Sequence, residues 1–518
     1  MGLREVADLG VIATTGRARC ADCSETVALG ETAEMHPEVK TTAGKVRGWT
    51  ADGVARFLGI PYAAAPFGAN RFAPPAPALA WDGVRDAWEH GPTAPAPGYP
   101  PPMDQIFTAM VVPGEEYLNV NVWAPDAAEG APVMVWIHGG AFVNGSNSVP
   151  TYDGTAFARD GVVLVGVNYR LGAEGFLLLP GGTANLGLLD QVAALRWVQE
   201  NIAAFGGDPG NVTVFGESAG AMSIGSLLAM PAADGLFRRA VLQSGGGHHV
   251  LSVATAARIA GYVADEVGVS LEELPQVPPQ RLVEAQQALA VQVQTAPDPA
   301  RWGEVIANAM VYEPVVDGDV LPDVPIRRIT SGSASGVDLL VGSTRDEHRL
   351  FLAPSGAMDR ATDAVLQAVA GGYGLPGDAL DKYRVVRPDA SPGVLLADMM
   401  TDWFFRIPTI RMAEAHAGAY VYEFDWASPV LDGSLGSCHA LELGFVFDTL
   451  HSASGLVGHE PPQELADAMH RAWVAFATTG DPGWEPYGRE RSVRHFGTTV
   501  ETVRDPRGDT RAIWEGIR

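Results

Sequence analysis

The stretch Val212-Thr213-Val214-Phe215-Gly216-Glu217-Ser218-Ala219-Gly220 decides the fold. Val212 to Phe215 reads as a short buried strand, and Ala221 to Met230 as a helix. Between them lies the pattern G-x-S-x-G, which suits a serine carried on a sharp strand-to-helix turn with strained dihedrals. Side chains two residues to either side of that serine would collide within the turn, so both positions want no Cβ. The following helix points its N-terminal amides at the same spot, where developing negative charge is stabilised. In a chain with 60 glycines the pattern alone means little. Its flanking elements are what make Ser218 the candidate nucleophile, with Glu217 beside it as a supporting residue.

Working outward, Val133 to Ile137 and Val162 to Val167 are compact apolar runs of strand length. Leu188, Val192, Leu195, Val198, Ile202 and Phe205 step at three and four residues, one face of a helix that Gly206 to Pro209 should end. Strands alternating with helices predict an α/β fold, with a large, mostly parallel central sheet flanked by helices. The Pro-rich segment Pro92 to Pro113 reads as a long surface loop. Residues 1–38 show no sustained period and are expected to be a flexible leader. Residues 39–518 are expected to form one catalytic domain with helical insertions.

An attacked carbonyl needs donors for its developing oxyanion. His138-Gly139-Gly140-Ala141-Phe142 follows the Val133–Ile137 strand, and glycines let backbone N–H groups approach to about 3 Å. The amides of Gly139, Gly140 and Ala219 are the expected donors, with His138 bracing the loop. A serine also needs a base. Among 12 histidines, His439 sits in a small-residue loop, Gly436 to Ala440, that runs into the apolar stretch Leu443 to Phe447. Its late position suits the chain order serine, acid, histidine of α/β-hydrolases. His248 and His249 follow the next predicted strand and are expected to line the pocket. His451, His459 and His470 read as surface or helix residues. The acid should follow another strand, and Asp338 to Gly342 is one. Either Asp346 or Glu347 after it can orient an imidazole; spacing does not choose between them, and Asp317 is a weaker third.

With 35 Lys+Arg against 61 Asp+Glu, the formal charge is −26. That balance disfavours nucleic acid and anionic membranes as partners, whereas neutral small molecules are not repelled. No apolar run reaches the roughly 18–20 residues that span a bilayer, so no membrane insertion is expected. Cys20, Cys23 and Cys438 are the only cysteines. One C-x-x-C with no second pair is weak ground for a metal, and none is expected. The chain start lacks the basic and apolar segments of a secretory signal, which together with few cysteines suggests the cytoplasm. No motif calls for a cofactor; Gly245 to Gly247 lacks the context of a phosphate loop. Oligomeric state is not readable.

In this order the pieces resemble the type-B carboxylesterase/lipase family, which includes bacterial para-nitrobenzyl esterases and, more distantly, cholinesterases. Gly59-Ile60-Pro61-Tyr62-Ala63 with Arg71-Phe72-Ala73-Pro74-Pro75 is similar to its N-terminal signature. Glu115 to Val120 and Asn168 to Gly172 are similar to two more, and the likeness runs from about residue 39 to 500. The resemblance implies the α/β-hydrolase fold, with Ser218 as nucleophile, Glu347 as acid and His439 as base. It also implies the Gly139, Gly140 and Ala219 amides as oxyanion donors, and Ser244 as a serine that hydrogen-bonds the acid. Three departures stand out. Tyr117 takes the place of a disulfide cysteine, Pro92 to Glu116 holds no tryptophan for a quaternary ammonium, and His348 replaces the glycine after the acid. The implied activity is hydrolysis of neutral carboxylic esters through an acyl-enzyme. A carbamate or amide hydrolase with the same triad is the alternative, and a non-catalytic binding relative is a further one.

Overall fold

The structure, a computed structural model, describes residues 36–518. Cys20, Cys23 and the expected leader up to residue 35 lie outside the described residues; Glu38, at the end of that span, pairs with Arg47 in a small edge sheet. The main sheet contains eleven strands: β1 Trp49–Ala51, β2 Val54–Pro61, β3 Asn119–Pro125, β4 Ala131–Ile137, β5 Val163–Val167, β6 Gly207–Glu217, β7 Arg239–Gln243, β8 Asp338–Thr344, β9 Tyr420–Phe424, β10 Ser492–Phe496 and β11 Val500–Arg504. Their order across the sheet is β11-β10-β9-β8-β7-β6-β4-β5-β3-β2-β1. From β5 to β10 every neighbouring pair is parallel, and antiparallel pairs close both edges.

Successive side chains on a strand point to opposite faces, and the two apolar layers follow from that rule. On β4, Val133, Val135 and Ile137 enter one layer, while Met134 and Trp136 enter the other. On β7, Ala240 and Leu242 face one way and Val241 the other. Strands buried on both faces carry apolar residues without alternation, which is why these runs stand out in the sequence. The predicted helix forms over Leu186–Asn201 and tightens into a 3₁₀ turn at Ile202–Phe205, closed by Gly206 in the left-handed region at φ 86°. Strand β6 starts at Gly207, before the expected Val212. Ala131 pairs with Gly207, the register then shifts, and pairing resumes at Val133–Val212, so Pro209 sits in the irregular interval. Helical insertions follow β7 (Val253–Val267, Pro279–Thr295) and β8 (Pro392–Thr401, Ile407–Ala415). No helix among the described residues is long and apolar enough to cross a membrane.

Candidate active site

The parallel strands end on one side of the sheet, where open α/β folds place their ligands. Strand β6 delivers Ser218 with φ 56° and ψ −124°, a conformation costly for any L residue. Its amide donates to Gln243 O at 2.9 Å, and helix Ala219–Leu227 starts at once. The two glycines of the motif are needed for close approach. A Cβ on Gly220 would lie 2.0 Å from Ile137 O, and one on Gly216 2.7 Å from the same oxygen. The turn is therefore pressed against the end of β4. We expect Gly220→Ala to destabilise the fold by about 3 kcal/mol, as overpacking against a fixed backbone does. Urea unfolding measures this, and an unchanged midpoint would contradict the close approach.

The loop after β4 winds tightly. Gly140, Ala141 and Phe142 all have positive φ, and a Cβ on Gly140 would meet Asn144 O at 2.2 Å. Neither Gly139 nor Gly140 donates its amide to an acceptor among the described residues, and Ala219 opens its helix, where no intrahelical acceptor exists. His138 braces the loop. Its Nδ1 lies 2.9 Å from Gly139 O, Tyr169 stacks on its ring with centroids 4.6 Å apart, and the Tyr169 hydroxyl donates to His138 O at 2.8 Å. Burial pushes the His138 imidazole down to about 4, so it is neutral.

Adjacent Asp346 and Glu347 separate cleanly in space. Asp346 clamps the loop that carries the histidine: its amide donates to Ser437 O at 2.8 Å, and its carboxylate accepts from Ser437 N at 3.1 Å. Glu347 reaches the histidine itself, with Oε2 2.6 Å from His439 Nδ1, while Oε1 accepts from Thr344 N at 2.8 Å. Asp317 instead caps a turn, accepting from Leu321 N at 2.8 Å. The other imidazole nitrogen, Nε2, lies 2.9 Å from Glu217 Oε1. Ser218 Oγ, by contrast, takes part in no hydrogen bond with the protein among the described residues. Burial disfavours an imidazolium, but the flanking Glu217 and Glu347 carboxylates outweigh it and hold His439 well above the usual histidine value.

Three expected neighbours behave differently. Ser244 follows β7 at φ 55°, yet its Oγ is buried without a partner among the described residues; it does not make the hydrogen bond to Glu347 that the resemblance implies, and Thr344 N donates to that carboxylate instead. His248 and His249 do not line the cavity. Gly246 and Gly247 press against Pro408 and Ile326, and His249 packs on Phe404 with ring centroids 4.5 Å apart. His470 lies on a helix, Gln463–Thr479, as one of its two readings expects, and its side chain is buried there.

Ser218, His439, Gly139, Gly140 and Glu217 share a cavity of about 500 Å³. Its walls are mostly apolar: Tyr99 and Phe107 from the Pro92–Pro113 loop, Met310, Phe351, Met400, Phe404 and Phe405 from the insertions. Distant insertions supply most of these residues, and no local pattern announces them. Glu442 is also missing from the sequence reading. It is fully buried, and Gln243 Nε2 donates to it at 3.3 Å. Burial, then the nearby Glu217 and Glu347, push its carboxyl up to about 8. A lone acid in the apolar run after His439 was the available signal.

The carboxylesterase family model matches residues 35–505. The chain is 38% identical to the para-nitrobenzyl esterase of Bacillus subtilis over 499 residues, 92% of this chain and 98% of that one. It is 36% identical to the phenmedipham hydrolase of Pseudarthrobacter oxydans, covering 86% and 90% of the two chains. A solved carboxylesterase from Geobacillus stearothermophilus superposes with a TM-score of 0.81 at 40% identity, covering 92% of this chain and 99% of that one. With one fold, one order of motifs and likeness over nearly its whole length, the chain belongs to the carboxylesterase family.

Proposed function

We propose that Ser218, His439 and Glu347 are the nucleophile, base and orienting acid of this serine carboxylesterase, and that its substrates are neutral, fairly apolar esters. The observation that carries the reading is the 2.6 Å contact between Glu347 and His439 Nδ1, beside a serine on a strained turn that faces the same cavity. Glu347 fixes the tautomer that leaves Nε2 able to accept a proton. As Ser218 Oγ attacks the ester carbonyl, Nε2 takes its proton, and the Gly139, Gly140 and Ala219 amides receive the oxyanion. His439 then protonates the departing alcohol, and water repeats the sequence on the acyl-enzyme. Nε2 is paired with Glu217 in the resting structure, so Glu217 must yield that nitrogen to Ser218 when substrate enters. The apolar walls favour uncharged acyl and alcohol groups, consistent with the acidic net charge.

Treatment with a phosphonate ester followed by peptide mass spectrometry tests the assignment. One adduct on Ser218, with stoichiometric loss of esterase activity, is expected; an adduct elsewhere, with Ser218 unmodified, overturns it. Turnover of matched ester, carbamate and anilide substrates separates ester hydrolysis from its alternatives, and the ester is expected to be fastest. A cytoplasmic location belongs to the same proposal. It is supported by Tyr117, whose buried hydroxyl donates to Glu174 at 2.9 Å where many relatives have a disulfide cysteine.

The electrostatics also set a pH profile. His439 serves as a base only when neutral, and its carboxylate neighbours raise the pH at which it loses its proton. The acid limb of kcat/KM is therefore expected above pH 6.5, the ordinary histidine value. Glu217→Gln removes one of the two carboxylates and should move the limb to lower pH. A limb that stays in place in this variant would remove Glu217 from the titration of the base.

A further inference from the structure

Given the triad proposed above, we propose that His348 is a specificity-determining residue, whose Nε2 donates a hydrogen bond to an ether or carbonyl oxygen on an arm of the substrate. The enzyme then favours esters with such an oxygen over counterparts carrying a methylene at the same place.

The argument begins with the backbone. Residue 348 adopts φ −71° and ψ −9°, an ordinary helical conformation, so nothing in the backbone there calls for glycine. Its amide donates to Thr401 Oγ1 at 3.1 Å, a contact that any residue but proline supplies. The side chain has a different setting. It lies on the wall of the cavity shared by Ser218 and His439, with ring centroids 5.4 Å from Phe351, 5.7 Å from Phe404 and 5.4 Å from Phe405.

Its two nitrogens are not equivalent. Nδ1 is buried with no hydrogen-bond partner among the described residues. Nε2 also makes no bond to the protein among the described residues, but it is not enclosed, and the residue is 8% exposed. Nε2 is thus a polar atom on the part of the cavity wall that Phe351, Phe404 and Phe405 otherwise make aromatic.

Burial, and then the neighbouring His439, push the ring down to about 3, so it is neutral wherever the enzyme works and has one N–H. A proton on Nδ1 would be a buried donor without an acceptor, whereas a proton on Nε2 meets the occupant of the cavity. Orphaned N–H groups are rarer in folded proteins than underused acceptors, which favours the Nε2–H form. Phenylalanine or leucine would fill the space without burying an unpaired nitrogen. The imidazole gains on them only if Nε2 has something to bind.

The test uses the full-length enzyme and 4-nitrophenyl esters of hexanoic acid, in which an ether oxygen replaces each inner methylene in turn. A second series walks the oxygen along the alcohol arm of the corresponding alkyl hexanoates. The readout is the ratio of kcat/KM for each ether ester to that of its all-carbon parent, compared between variants so that the substrates' intrinsic reactivity cancels. One neutral hydrogen bond predicts that His348→Leu lowers this ratio roughly three- to tenfold at one oxygen position. His348→Gln, which can place an amide N–H near the position of Nε2, should restore most of it. Ratios within twofold of wild type at every position in His348→Leu overturn the proposal. A lowered ratio that His348→Gln fails to restore also overturns it, as an effect of shape. Active-site titration with the phosphonate normalises each variant, so misfolding lowers the titre and leaves the ratio untouched. Failure of the triad reading appears separately, as a phosphonate adduct away from Ser218.

Discussion

Ser218→Ala should lower kcat on any ester by at least about ten-thousand-fold, because loss of a triad nucleophile leaves only the contribution of oxyanion donors and binding. The fold should survive. The turn is held by the Ser218 amide on Gln243 O and by the glycines packed under β4, and none of these uses the hydroxyl. Alanine inherits the strain of φ 56°, so its melting temperature should match wild type. Ser218→Gly releases that strain and should gain about 1 kcal/mol while being equally inactive. Together the variants separate the two properties of this residue, reactivity and strain. Retained turnover in purified Ser218→Ala, or collapse of its fold, would remove the serine from the mechanism proposed here.

The parts of this protein that were readable in advance share a physical cause. Strands buried on both faces of a parallel sheet are unbroken apolar runs, so β4, β5 and the end of β6 stand out. The serine turn and the His138 loop were readable because close backbone approach demands glycine, as the 2.0 Å and 2.2 Å clashes at Gly220 and Gly140 show. Contacts made across distance were not readable. Asp346 and Glu347 are neighbours with the same chemistry, and only the loop carrying Ser437 and His439 tells them apart. Ser244 was expected on the acid, but a backbone amide three residues before Glu347 takes that position. Proximity to a strand end points His248 and His249 at the pocket, yet after the tight passage of Gly246 and Gly247 neither lines it, and His249 packs on Phe404. Most of the apolar cavity wall comes from insertions distant in sequence from Ser218, and their inward aromatics look like ordinary core.

Glu347→Gln should be nearly as damaging as loss of the nucleophile, by about ten-thousand-fold in kcat, and the hydrogen bonds give the reason. Thr344 N donates to one carboxylate oxygen and therefore holds the amide oxygen of glutamine in that place. The amide nitrogen then faces His439 Nδ1, two donors meeting at a site now bridged at 2.6 Å. The imidazole relieves the conflict by moving its proton to Nε2, which makes it a donor toward Ser218 just when an acceptor is needed. The fold should persist, since the backbone contact from His439 N to Glu347 O at 3.2 Å is untouched. Asp346→Asn provides the contrast. Asp346 accepts from Ser437 N and lies 3.4 Å from Arg349 and 3.6 Å from Arg387, so its variant should lose about 1–3 kcal/mol of stability while keeping far more turnover. Parallel measurement of kcat and unfolding midpoint decides the matter. Large kinetic loss in Asp346→Asn with near-normal turnover in Glu347→Gln would reverse the assignment of the acid. The expected opposite pattern would divide the labour of two adjacent carboxylates, one orienting the base and the other holding the loop on which the base is carried.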